Sequence, residues 1–398
     1  MYPESAPQTR IARFPGGIVD GVRGNRIEVL DVLRGAAIAG TLGTNIWIFT
    51  NPGGPADLAG ALGQAGAVES FLRFLANGKF LALLTLLFGV GLELQYRSAV
   101  RRGLRWPGRY LWRAALLFAE GLLHYVLVFE YDVLMGYAVT AIVVAYLIGR
   151  SDRVVTAWMA AAGSLFLLIV GAGTAALLSG DGSLESAPGS LFTEGSYLDQ
   201  VAARIELAGV YRAEAMIIVP LGIVLFLLGA RLLRAGVFDE RGAALRRGLI
   251  IAGLGVGLPL NLLTTFAGPG WFLVDRYVLP PLVALGLLGL IATLVRGDAA
   301  PGPLRRGLSN VGRTALSCYV FQNVVASALC YGWGLGLAAR LDWLRPWWVP
   351  VAWLAICALF TALATLWLRR FSRGPLEAVW QWAYRLPWRS APAPARST

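Results

Sequence analysis

The chain has 398 residues, 57% of them hydrophobic and 15% charged, with a mean hydropathy of +0.62 and a formal net charge of +12. So little charge excludes an ordinary soluble protein of this length, in which roughly a quarter of the residues are Asp, Glu, Lys or Arg. The apolar residues fall into blocks of about 20 residues, the length a helix needs to cross a bilayer. They do not alternate in polarity as barrel strands do, so the fold class predicted is all-α, a polytopic membrane helical bundle.

In chain order, the first 25 residues are polar, basic and rich in Pro and Gly. Without an apolar core they read as a cytoplasmic segment rather than a cleavable signal peptide. Ten spans are predicted, at 29–49, 70–95, 110–129, 131–149, 154–178, 213–235, 246–266, 274–296, 310–335 and 347–371, forming a single transmembrane domain over 26–385. The longest connection, about 179–212, carries Gly, Ser, Pro and acids. Its second half is expected to form an amphipathic segment over the external mouth. A connection of this length between helices is more often functional or mobile than a plain linker. From 386 to 398 a Pro/Ala/Arg-rich tail is expected to be disordered.

The arginines orient the bundle. Twenty-seven fall at one set of helix ends and only Arg204, Arg212, Arg276, Arg340 and Arg345 at the other. The positive-inside rule then puts both termini on the cytoplasmic side of the membrane. The net charge becomes an orientation signal and a contact with anionic lipid, not a nucleic-acid footprint. Cys318, Cys330 and Cys357 lie in apolar blocks without metal-ligand spacing, so they read as packing residues, and no metal is expected. No inverted repeat of the transporter kind is visible.

Ionisable residues within spans are expensive and usually face a cavity or a partner. The single histidine, His124, and the single lysine, Lys79, both fall in predicted spans. Glu120 precedes His124 by one turn, and Arg113 and Arg109 lie close to the same line, so a polar stripe is predicted along helix three. Glu120 and His124 satisfying one another as interhelical glue is the bland alternative. In helix one, Arg34, Thr41 and Asn45 share a face, and Asp31 is placed to pair with Arg34. Lys79 and Glu93 share a face but lie about 20 Å apart, so Lys79 needs another anionic partner, a substrate among the candidates. Ser317, Gln322 and Asn323 stand in apolar surroundings in helix nine.

Several strings together resemble one family. They are Leu30-Asp31-Val32-Leu33-Arg34-Gly35 with Asn45, Gly78-Lys79-Phe80 running into Leu87-Phe88-Gly89-Val90-Gly91, and Gly121-Leu122-Leu123-His124 with Asp132-Val133-Leu134. Gly312-Arg313-Thr314-Ala315-Leu316-Ser317 with Gln322, Tyr331-Gly332-Trp333-Gly334-Leu335-Gly336 and Gly374-Pro375-Leu376-Glu377 follow. In this order, over about 26–385, they resemble the YeiB-like family of bacterial membrane proteins, catalogued as a domain of unknown function. The sequence departs from that pattern at Ala378, where an aromatic often follows the Glu, and at Leu83-Leu84-Thr85. The family is similar, more distantly, to the transmembrane acyltransferase superfamily, through the Leu-Asp-x-Leu-Arg opening of helix one.

That resemblance implies a membrane histidine acting in acyl transfer, with an acyl-CoA donor, acetyl-CoA first among them, entering from the cytoplasm. Carried onto this chain, His124 is the general base or acyl carrier and Glu120 orients its ring. Arg34, Arg109, Arg113 and Arg313 are the cations suited to the donor phosphates, with Asp31 a structural partner of Arg34. Asp132, Lys79, Asn45 and Gln322 are the candidates for the acceptor, a hydroxyl or amine of a glycan, lipid or secreted metabolite. A non-enzymatic transporter or exporter using the same polar stripe is the rival reading, and a structural partner in an envelope complex a third.

Overall fold

The computed structural model describes residues 17–57, 65–180, 190–296 and 300–388. Among them every regular element is helical. The expected tail lies outside the described residues from 389 on, and so does the N-terminal segment up to 16.

α1 (Gly17–Phe49) is followed by a short α2 (Ala67–Phe74) and by α3 (Lys79–Arg101). α4 (Arg109–Leu127), α5 (Leu134–Leu147) and α6 (Asp152–Ser179) come next. α7 (Tyr197–Glu206) lies in the long connection and precedes α8 (Ala215–Arg234). The helical runs α9 (Glu240–Thr265) and α10 (Pro269–Val295) each contain a π-helical stretch, Ile251–Gly257 and Val274–Val278. α11 (Pro303–Arg313), α12 (Ala315–Cys330), α13 (Trp348–Trp367) and α14 (Pro375–Arg385) complete the chain.

Among the described residues seven runs are long and apolar enough to cross a membrane: Glu28–Phe49, Ala67–Arg101, α6, Ala208–Arg234, α9, α10 and α13. The apolar helices α5 and α12 are shorter. Their packing follows the charge pattern. The Glu28–Phe49 part of α1 is mostly buried, and α1 packs on α3, α11 and α12. α6, α9 and α13 are mostly exposed, with Leu165, Leu167 and Leu168 outward on α6 and Leu354, Leu359 and Leu363 outward on α13. Large apolar side chains facing outward along whole helices suit a hydrocarbon surround.

Two predicted spans are broken. The stretch 70–95 is two helices, α2 and α3, parted at 75–78, where Gly78 adopts φ +71°. A Cβ there would meet the Arg276 carbonyl oxygen at 2.3 Å, so glycine both supplies the left-handed conformation and admits the π-helical part of α10. The stretch 310–335 breaks at Thr314 and its helix ends at Cys330. Glu377 opens this second half: it accepts the amides of Leu316 (2.8 Å) and Ser317 (3.3 Å) and the Ser317 hydroxyl (2.5 Å). A carboxylate on the free amides of a helix start is a favourable pairing. It seats α12 against the C-terminal α14.

The long connection forms its helix in the second half, as expected. A Ser196–Asp199 capping box starts α7, and the Ser196 hydrogen bonds hold the Asp199 carboxyl below its usual range. The face buried is polar, however: Gln200 and Arg204 point inward, while Leu198 and Ile205 are exposed.

Candidate active site

α4 and α5 meet through the turn 128–133. Gly121 allows α4 to approach the start of α5: a Cβ there would lie 2.6 Å from the Met135 amide nitrogen and 3.0 Å from Asp132 Oδ1. The close approach folds Asp132 back on His124, with Oδ2 2.8 Å from Nδ1. Asp132 Oδ1 accepts the Leu134 amide at 2.8 Å, at the N-terminus of α5, where unpaired amides favour an anion. The Tyr319 hydroxyl donates to Oδ2 at 3.2 Å, and its ring packs on the imidazole with centroids 5.1 Å apart.

On its other edge, His124 Nε2 lies 3.3 Å from Asn323 Nδ2. Asn323 Oδ1 in turn accepts from Asn45 Nδ2 at 3.3 Å. A carboxylate on Nδ1 fixes the proton there and leaves Nε2 as the acceptor, an assignment made from the hydrogen-bond network. The result is one basic nitrogen aimed at α12 and α1. The His124 and Asp132 side chains are only 2% and 0% exposed.

The long connection clamps the turn that carries Asp132. Arg212 Nη1 donates to the Asp132 carbonyl at 2.7 Å, Nη2 donates to the Glu130 carbonyl, and the guanidinium lies 4.2 Å over the Tyr125 ring. Arg204 pairs with Glu130 (Nε–Oε1 2.8 Å), both side chains almost fully buried, and also donates to the Val126 carbonyl at 3.2 Å. The Tyr125 hydroxyl closes the arrangement on the Arg204 carbonyl.

Several expectations are corrected. Glu120 does not hold the ring: its Oε1 is buried without a hydrogen-bond partner, and the orienting carboxylate is Asp132. A shared helical face brings two residues close, but the wheel of one helix cannot see a carboxylate folded back from the next. Asp132 is therefore not open to an acceptor, since His124, Tyr319 and the Leu134 amide occupy both its oxygens. Lys79 bonds the Phe74 carbonyl and lies 4.0 Å over the Phe74 ring, so a helix-end carbonyl and a π face take the place of the expected anion. Gln322 is fully buried with neither amide atom bonded, apart from the His124 cluster although next to Asn323.

Asn45 belongs to the cluster. Arg34 pairs with Asp31 at 3.2 Å, as its spacing implies. Arg113 stacks on Trp380 of α14 at 4.5 Å and lies within range of the Arg34 charge. The charge of Arg313 reaches Asp31, and Arg109 is the first residue of α4. This cationic end stands opposite His124 on α4, about 16 Å from Arg113 by helical rise.

Sequence reasoning passed over Tyr319. It lies four residues before Asn323 and hence on the same face, a signal that was present. The Arg204–Glu130 pair, 74 residues apart, left no local signal.

Residues 232–386 match the family model described as "Protein of unknown function (DUF418)". Over nearly its whole length the chain is similar to the uncharacterized protein YxaH of Bacillus subtilis (strain 168), 26% identical over 91% of this chain and 95% of that protein. It is also similar to the uncharacterized protein YeiB of Escherichia coli (strain K12), 27% identical over 89% and 95%. An uncharacterized 39.9 kDa protein in the amylase 3' region of Bacillus acidopullulyticus is 27% identical over 89% and 93%. No solved structure matches. With relatives similar over nearly its full length and the DUF418 match at 232–386, the chain is similar to the YeiB-like proteins of bacteria.

Proposed function

We propose that this protein is a membrane-embedded acyltransferase that moves an acyl group, acetyl in the simplest case, from cytoplasmic acyl-CoA to a hydroxyl or amine of a glycan, lipid or secreted metabolite. The observation that carries the reading is the buried Asp132–His124 pair with Nε2 turned toward Asn323. A carboxylate on Nδ1 is the arrangement that makes Nε2 a general base and stabilises the imidazolium that forms.

In this reading the acceptor displaces the Asn323 amide from Nε2. Its oxygen or nitrogen attacks the thioester carbonyl as its proton passes to Nε2. The carbon–sulfur bond breaks, and the imidazolium returns the proton to the departing thiolate, giving free CoA and the acylated acceptor. Asp132 keeps the ring in one tautomer throughout. Arg34, Arg109, Arg113 and Arg313 hold the donor phosphates at the far end of α4.

The same reading sets ten helices across the inner membrane with both termini cytoplasmic. It is supported by the 27 arginines at one set of ends, by the shorter apolar helices α5 and α12 beside the seven longer runs, and by the 19-residue length of α4. Incubating the purified protein with radiolabelled acetyl-CoA is the test. Labelled acceptor and free CoA are expected from the wild type and not from His124→Ala. Neither product from well-folded wild type in the presence of membrane and cell-envelope extracts would remove the enzyme reading.

A further inference from the structure

A cavity of about 320 Å³ opens between α1, α2 and the segment joining α9 to α10. Trp47, Phe74 and Phe272 give it aromatic walls, and Arg73, Asn77 and Arg276 give it polar ones. At its inner end Thr44 and Arg276 also line a void of about 20 Å³, whose opposite walls include Asn45 and Tyr319. Those two residues bond Asn323 and Asp132. Thr44 and Arg276 therefore stand between the cavity and a void, with room for about one water, whose walls include residues of the His124 cluster.

The charges around the cavity do not balance. Arg73 and Arg345 share one carboxylate, Glu69, at 2.5 and 2.9 Å, and both guanidiniums lie over the Trp47 ring. Arg276 donates to Asn77 at 3.1 Å and to the Tyr277 hydroxyl at 3.0 Å, and stands 3.6 Å from Glu214. Asp275 is satisfied within the protein by Asn77 (2.8 Å), Asn261 (2.8 Å) and Thr265 (2.6 Å). Lys79 sits behind Phe74. The cavity wall itself holds two cations, Arg73 and Arg276, against one carboxylate, Asp275. Arg73, Arg276 and Arg345 are 10–13% exposed, where one uncompensated positive charge is unfavourable without a counter-anion. The π-helical turn Val274–Val278 brings Asp275, Arg276 and Tyr277 to this wall, and such turns recur at functional sites.

We propose that this cavity binds a singly charged oxyanion, a carboxylate or phosphodiester, on a body that packs against the aromatic walls. It is the acceptor of the His124 centre, its hydroxyl or amine end directed past Thr44 and Arg276. Only the identification as acceptor rests on the acyl-transfer reading. The cavity wall is apolar and exposed at Phe266, and Phe71 and Leu75 are exposed on and just after α2, so the anion reaches the cavity either as a lipid headgroup or as a free solute.

The test uses the full chain in phosphatidylcholine nanodiscs, with no acyl donor present. Glycerophosphoglycerol and glucuronate, each singly charged, are titrated beside neutral glycerol and glucose. At least one anion binds about tenfold tighter than its neutral counterpart, a difference of about 1.4 kcal/mol. That preference disappears in Arg276→Gln. It also weakens in Ser70→Trp, which fills the cavity from its wall and leaves every charge in place.

Phosphatidylglycerol added to the discs separates the sources. Competition with the soluble anion, or retention of phosphatidylglycerol alone, assigns the site to a headgroup, and an unchanged affinity assigns it to a solute. Both support the site. No preference for either anion with no phosphatidylglycerol retained, or anion binding undiminished in both variants, overturns it. Without a donor in the assay, failure here leaves the acyl-transfer reading standing, and failure of acyl transfer leaves this binding intact.

Discussion

Asp132 Oδ2 sits 2.8 Å from His124 Nδ1 although a helix end and eight residues of chain separate them. The pairing predicts the order of the carboxylate variants. Asp132→Asn loses the charge on Nδ1 and, with it, the fixed tautomer, so acyl transfer falls by about 10²–10⁴-fold. Glu120→Gln falls far less. His124→Gln keeps a polar side chain but has no titrating nitrogen, and its transfer is abolished while the protein elutes as the wild type does. Rates with labelled acyl-CoA read all three, and equal losses in Asp132→Asn and Glu120→Gln would contradict the geometry.

Gly121 predicts a loss without any reacting group being touched. In Gly121→Ala the new methyl meets the Met135 amide nitrogen, a backbone atom that cannot swing aside, and presses on Asp132 Oδ1. Alanine suits a helix better than glycine by about 1 kcal/mol, but the clash outweighs this and destabilises by about 1–3 kcal/mol. Melting in detergent reads the stability. The transfer rate falls further than the melting shift alone accounts for.

The Arg204–Glu130 pair is nearly sealed from solvent. Arg204→Met leaves Glu130 buried and unpaired, a loss of about 3–5 kcal/mol. Arg204→Met with Glu130→Gln removes both charges and recovers most of it. A double-mutant cycle on unfolding temperature in nanodiscs measures the coupling. Additive effects would show that the pair is not the element holding the turn.

Topology gives a prediction independent of chemistry. Cysteines introduced one at a time at 97–109 are shielded from an impermeant maleimide in intact cells, and those at 190–212 react. The native Cys318 and Cys330 are buried, which keeps the background low. Labelling at 97–109 would invert the bundle.

His124 was legible because a lone imidazole in an apolar block has few bland explanations, and the Asp31–Arg34 pair because an i, i+3 spacing fixes it locally. The break at 75–78 was written in Asn77-Gly78, a turn dipeptide that the hydropathy of its flanks concealed. The rest is tertiary. Asn323 reaches His124 across 199 residues of chain and Asn45 across 278. Periodicity gives each helix a polar face but not the neighbour that face meets. Glu120 was misjudged for that reason: its own helix offered it to His124, and the following turn supplied a better-placed carboxylate.

The clamp on that turn has an unusual insensitivity. Arg212 grips the carbonyls of Glu130 and Asp132, not their carboxylates. A guanidinium stays protonated in proteins, and an amide oxygen has no proton to gain at any biological acidity. The Arg212 contacts to the turn are thus indifferent to the proton concentration at that end of the bundle. Acidification there leaves this grip as it is, because neither the guanidinium nor the two carbonyls has a proton to gain.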